Sequence, residues 1–128
     1  MNKLLLKKLN YWHEEDAHDK IIDRILEIPE SDRDYDVISH LARAYNNMNY
    51  FEEAIEQLFI IKENGVDDPL WHHRLGYAYF FLGNHEDALR EFQIAHDLDK
   101  DDQKIESFLD MAKVHIFMKN SYLEEIDN

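Results

Sequence analysis

The feature that most constrains this chain is an internal repeat of 34 residues. Residues 35–68 align with residues 69–102 without a gap. A fixed period of this length is typical of proteins built from repeated supersecondary units, each of which needs a neighbour to bury its apolar face. The identical pairs are Leu41 and Leu75, Ala44 and Ala78, Tyr45 and Tyr79, Glu52 and Glu86, Ala54 and Ala88, Ile60 and Ile94, and Asp67-Asp68 and Asp101-Asp102.

The spacing of apolar residues within the second repeat predicts a helical hairpin. Two apolar stripes recur at intervals of three and four residues, as on one face of a helix. Gly83 lies between them and can adopt the left-handed conformation that ends a helix. With only 3 Gly and 2 Pro, the chain favours long helices and short loops over a sandwich or barrel. The stripes are Leu75, Ala78, Tyr79 and Leu82, then Ala88, Phe92, Ala95 and Leu98.

Small and large residues alternate across this hairpin. Gly76 and Ala88 let two helices approach closely, and Tyr79 and Phe92 fill the space beside them. At a 34-residue period this pattern resembles the tetratricopeptide repeat family. The residues that match the family are Leu75-Gly76, Tyr79, Ala88, Phe92 and Ala95, and in the preceding repeat Leu41-Ala42, Tyr45, Ala54, Leu58 and Ile61. Two family positions differ: the tryptophan is replaced by Ile38 and His72, and the proline near the repeat end by Val66 and Lys100.

The resemblance implies an all-α fold of stacked antiparallel helix hairpins, a tetratricopeptide-type α-solenoid. We expect one domain over residues 1–128, with about three repeats and a C-terminal closing helix. Gly65 is expected to end a helix, and Asp68-Pro69 to cap and begin the next one. The expected parts are a degenerate N-terminal hairpin at 1–34, repeats at 35–68 and 69–102, a closing helix at 103–118 and an acidic tail at 119–128, frayed from Ser121 onward.

The net charge of −14, from 28 acidic and 14 basic side chains, narrows the classes of partner. Such a field repels phosphate backbones and anionic lipid surfaces, so we expect no nucleic acid and no membrane as partners. Acidic side chains of this number are typical of a soluble helical surface. The second interpretation of these acidic side chains is that they bind a basic partner.

Cysteine is absent, which excludes disulfides and thiol chemistry. No apolar run approaches the roughly 20 residues of a membrane span. The apolar stretch near the start is interrupted by Lys7 and Lys8 and is too short for a secretory signal. The expected location is the cytoplasm.

Histidine motifs provide the nearest approach to a catalytic pattern. A zinc-protease helix needs two histidines four residues apart, whereas His13 and His18 are five apart, would diverge on one helix and straddle the predicted loop of the first hairpin. His72 and His73 are adjacent, so they too diverge on a helix. No phosphate-binding loop, nucleophile elbow or structural zinc spacing occurs. We therefore expect no enzyme activity, no metal and no cofactor.

The family resemblance also implies a binding groove, because the first helix of each hairpin lines a concave surface that binds an extended or helical peptide. Three of the eleven residues carried over to this groove are basic and none is acidic. Exposure of the three aromatic ones, Tyr77, Phe80 and Phe81, would indicate binding. The candidate groove residues are Ser39, His40, Arg43, Asn46, Asn47, His73, Arg74, Tyr77, Phe80, Phe81 and Lys104.

The leading hypothesis is a protein-interaction scaffold that binds a peptide segment of a partner in this groove, with Arg43 and Arg74 donating to a carboxylate. In the structural alternative, the two arginines pair with acidic residues of adjacent hairpins. Other hypotheses are a regulatory or accessory domain of a larger enzyme or complex, and a self-association module that uses Tyr77, Phe80 and Phe81.

Overall fold

The computed structural model describes residues 3–127 of the chain. The two residues before Lys3, which belong to the predicted first hairpin, and the last residue of the predicted tail lie outside the described residues. Throughout the described range the only regular elements are helices, which confirms the all-α prediction. They are α1 (Lys3–Glu14), α2 (His18–Leu26), α3 (Tyr35–Asn47), α4 (Phe51–Ile60), α5 (Lys62–Gly65), α6 (Pro69–Phe81), α7 (His85–Leu98) and α8 (Gln103–Asp127), with a 3-10 turn at Glu30–Asp32.

The helices form two compact units, and the first ends at Gly65. In this unit α1 and α2 form a hairpin, α3 packs on both of them, and α4 packs on α3. Leu9, Ile21, Ile25 and Leu41 are completely buried in its core. These apolar residues of the first hairpin, Leu9, Ile21 and Ile25, therefore face inward.

The second unit begins at Val66 and consists of the α6–α7 hairpin covered by α8. Its core contains Phe80, Ala88, Phe92, Leu109 and Ala112. Because α8 packs on both helices of the hairpin, it buries the apolar face that a terminal repeat would otherwise leave open.

Three N-terminal caps repeat at the 34-residue period. The side chain of Asp34 accepts a hydrogen bond from the backbone N–H of Val37, and that of Asp68 from Leu70, both at 2.9 Å. Asp102 accepts from Lys104 at 2.9 Å and from the following residue at 3.0 Å. A carboxylate at this position satisfies backbone N–H groups that have no partner inside the helix. The helices after these caps begin at residues 35, 69 and 103.

The turns within the hairpins repeat as well. Asp16, Asn49 and Gly83 have positive φ angles of 56°, 65° and 88°, and each is followed by the start of the hairpin's second helix. The backbone N–H of the residue after each one donates to a carbonyl five residues earlier, at 2.8, 2.8 and 2.9 Å. Asn and Asp tolerate this conformation better than other residues with a side chain. The first hairpin therefore has the same turn as the two repeats, although its sequence register differs by one residue.

The small–large packing in the second unit is as close as the sequence predicts. A Cβ atom added at Gly76 would lie 2.8 Å from ring atoms of Phe92. Ala88, on the facing helix, is completely buried. No side chain larger than a hydrogen atom fits at residue 76 without displacing the ring.

Two helices differ from the sequence-based expectation. The second helix of residues 35–68 is interrupted at Ile61, where φ is −106° and ψ is 21°, so that α4 and α5 are separate. Helix α8 does not end at residue 118 but continues to Asp127 through the expected frayed tail. No Gly or Pro occurs between Gln103 and Asp127 to end it. No helix within residues 3–127 is long and apolar enough to cross a membrane.

Replacing Ala88 with Leu should destabilise the protein by about 1–3 kcal/mol, because a close helix crossing cannot accept the added volume. Leu at the exposed Asp97 on the same helix should change stability by less than about 0.5 kcal/mol. Denaturant unfolding of both variants tests this expectation. An unchanged midpoint for Ala88→Leu would mean that α7 does not cross a neighbour closely at this residue.

Candidate functional site

The predicted groove residues of the first unit lie on α3 and differ in exposure. Ser39 and Asn46 are buried, His40 and Arg43 are half-buried, and Asn47 is exposed. Burial lowers the pKa of the Arg43 guanidinium from its usual value. Since Ser39 and Asn46 face the interior, only the other three side chains present surface to solvent.

Three histidines meet in the first unit, a contact that the periodicity of the chain does not indicate. The Nε2 atom of His13 lies 3.0 Å from the Nδ1 atom of His40, and their rings are stacked with centroids 5.1 Å apart. The centroid of the His18 ring is 5.9 Å from that of His13. The helical divergence expected for His13 and His18 does not apply, because the chain turns at Asp16 between them.

In the second unit the aromatic residues of α6 differ in exposure to solvent. Phe80 is only 7% exposed, and its ring contacts those of Phe81, His85 and His115. It was expected to be exposed, but the start of α7 and the middle of α8 cover it. Phe81 remains 48% exposed, as expected for a contact residue.

The exposed side of α6 continues onto α8. The ring centroid of Tyr77 lies 4.7 Å from that of Phe81 and 5.5 Å from that of Phe108, a residue outside the predicted groove set. Phe108 could have been found from the repeat, because it lies 34 residues after the groove candidate Arg74. We call the surface formed by Arg74, Tyr77, Phe81, Lys104 and Phe108 the α6–α8 face.

Two cations lie near one end of this face, as their effect on His73 shows. The His73 ring is buried between aromatic rings, with centroids 5.6 Å from Phe92 and 5.2 Å from Phe108. Burial, together with the positive charges of Lys104 and Arg74, lowers the pKa of His73 to about 4, against an opposing effect of Asp102. His73 is therefore neutral at pH 7, and the positive charge there belongs to Lys104 and Arg74.

His72, in contrast, takes part in the packing between α7 and the segment before α6. Its Nδ1 atom lies 2.8 Å from a carboxylate oxygen of Glu91, and its Nε2 atom lies 2.8 Å from the carbonyl oxygen of Val66. Both side chains of the pair are almost fully buried. Because both ring nitrogens have partners, His72 holds α7 to the segment before α6, at the position that tryptophan occupies in the family. His72 and His73 do diverge, as the sequence predicts.

Between residues 3 and 126, no group of three or more His, Asp or Glu side chains is placed to hold a metal ion. His85 and His115 are stacked with ring centroids 5.0 Å apart, but they form a pair only.

The chain is similar to known proteins both in the sequence of one repeat and in its fold. The family model described as tetratricopeptide repeat matches residues 69–102. Among solved structures, the NMR structure of the first tetratricopeptide repeat domain of the human RPAP3 protein is similar, with a TM-score of 0.81 and 19% sequence identity. The match covers 94% of this chain and 96% of that one. No curated protein matches the chain. The family-model match identifies a tetratricopeptide repeat at residues 69–102, and the structural match confirms the predicted fold of stacked helix hairpins.

The buried, neutral His73 predicts a loss of stability in acid. The unfolded chain binds a proton at this residue below a pH of about 6.5, whereas the folded chain does so only below about 4, so stability falls as the pH drops from 6.5 to 4. Between pH 7.5 and 5.0 the loss should be on the order of 2 kcal/mol. The variant His73→Phe has no titrating group at this residue. Its loss of stability between the two pH values, measured by urea unfolding, should therefore be smaller by this amount. An equal loss in both proteins would contradict the assignment.

Proposed function

We propose that this tetratricopeptide repeat domain is a non-catalytic adaptor that binds a peptide segment of another protein on its α6–α8 face. The observation that carries the proposal is the combination of exposed aromatic surface with two cations, in a chain whose net charge is −14. The repeat fold supports a protein-interaction module in general, and the chemistry of this face supports its use as the contact surface.

The cationic end of the face fits a carboxylate. Arg74 offers a planar guanidinium that can donate two parallel hydrogen bonds, and Lys104 adds a second positive charge. Both charges act on His73, which places them within electrostatic range of the same buried ring. A partner's acidic side chain or its terminal carboxylate is therefore the expected ligand group here.

The apolar end of the face fits a hydrophobic side chain of the same segment. Phe81 is half exposed, and Tyr77 packs between it and Phe108. Aromatic rings held in place by neighbouring rings lose little conformational freedom on binding, which favours them as anchors. Burial also raises the pKa of the Tyr77 hydroxyl, so it remains a neutral hydrogen-bond donor at pH 7.

The first unit offers a smaller set of contacts. On α3, Arg43, His40 and Asn47 keep some exposed surface. We propose that they take part in partner binding through polar contacts on that helix. The buried Ser39 and Asn46 would act only indirectly, by fixing the position of α3.

Replacing Arg74 with Glu should weaken peptide binding by at least about tenfold, because a charged hydrogen bond contributes about 1.5–3 kcal/mol. The probe is an array of acidic ten-residue peptides, each made with a free and with an amidated C-terminus, and the tightest binder is then measured by calorimetry. Phe81→Ala should weaken binding of the same peptide, because the apolar anchor is lost. A dependence on the free terminus would identify the terminal carboxylate as the bound group.

The matched control is Lys113→Glu, which makes the same charge reversal at an exposed residue of α8 outside the α6–α8 face. It should bind like the wild type. Affinity of the wild type should also decrease as the salt concentration rises, since screening weakens the contact with the two cations. If no peptide binds, or if Arg74→Glu and Phe81→Ala bind as tightly as the control, the proposed site is wrong.

A further inference from the structure

Helix α8 carries an apolar stripe that the rest of the second unit does not cover. Its packed side holds Ile105, Leu109 and Ala112, all buried against the hairpin. On another side, Val114, Met118 and Tyr122 are 58%, 62% and 64% exposed. Such a row of exposed apolar side chains on one helix is typical of an interaction surface.

The centre of this stripe has the spacing of a coiled-coil seam, because Met111, Val114 and Met118 occupy successive seam positions. The same seven-residue line continues to charged residues at its two ends, and the complementary positions beside them are polar. The end residues are Lys104 and Glu125, with Ser107 and Ser121 beside them. A seven-residue repeat keeps one line of side chains directed at a single neighbouring helix. From Lys104 to Glu125 the seam is about 32 Å long, at a rise of about 1.5 Å per residue. A second helix is therefore the shape that fits it.

The charges at the two ends of the seam select the orientation of that helix. Lys104 lies at the N-terminal end and Glu125 at the C-terminal end, and both are exposed. A second α8 aligned antiparallel, centred between Val114 and Met118, brings each Lys104 within about one helical turn of the other copy's Glu125. A parallel alignment would place like charges together at both ends, which is unfavourable.

We propose that this seam is a homodimer interface, in which α8 pairs antiparallel with α8 of a second copy of the chain. The methionines supply an adaptable apolar centre, and the two Lys104–Glu125 pairs fix the direction. One helix pair is a small interface, so the dimer should be weak and concentration-dependent. Because Lys104 also belongs to the α6–α8 face, dimer formation would compete with the partner proposed above.

Sedimentation equilibrium from about 10 µM to 1 mM at 0.15 M salt tests the dimer directly. The wild type should pass from monomer to dimer over this range. Met118→Glu should remain monomeric, because it places a charge at the apolar centre of the seam. Ile60→Glu, at a residue of the first unit that is 65% exposed, is the matched control and should dimerise like the wild type.

Charge exchange tests the antiparallel direction. Lys104→Glu and Glu125→Lys should each weaken the dimer several-fold, and the double variant should return to the wild-type dissociation constant because both pairs are restored. A chain that stays monomeric to 1 mM, or a Met118→Glu variant that dimerises normally, would overturn the interface. Failure of the double variant to recover would overturn the antiparallel pairing. Arg74 and Phe81 lie outside the seam, so the peptide-binding test succeeds or fails separately.

Discussion

The arrangement of the second unit depends on the contact between Gly76 and the ring of Phe92. A Cβ atom at residue 76 would be only 2.8 Å from that ring, so the distance between α6 and α7 is set by the absence of a side chain. Phe92 is completely buried. Close-packed interiors transmit such a constraint to their neighbours, since they contain few voids that could absorb a shift.

The same ring supports the surface that we propose for binding. Phe92 and Phe108 enclose His73, and Phe108 in turn contacts Tyr77 on the exposed side. A chain of ring contacts thus runs from the buried helix crossing to the α6–α8 face. Rigid support of this kind keeps a contact surface in one conformation before a partner binds. Fold stability and the proposed function therefore depend on the same aromatic residues.

Local signals predicted much of this structure from the sequence. Asp68 and Gly83 act as cap and turn because these backbone roles depend on the residue type and its immediate neighbours in the chain. The burial of Phe80 and the contact between His13 and His40 depend on which distant helix lies alongside, and periodicity carries no such information. The length of α8 was missed because its charged end resembles a solvated tail, whereas nothing in its sequence ends the helix. The proposed binding and dimer surfaces remain predictions.

A double-mutant cycle on residues 76 and 92 tests the central packing claim most directly. The first repeat has Ala42 and Leu58 at the matching positions, both completely buried, so the pair Ala and Leu already occurs in this fold. In the wild-type background, Gly76→Ala should destabilise the protein by about 1–3 kcal/mol in denaturant unfolding. In the Phe92→Leu background the same change should be neutral or stabilising, since Ala favours helix over Gly by about 0.5–1 kcal/mol. An equal cost in both backgrounds would contradict the account, because residue 76 would then not be constrained by the ring.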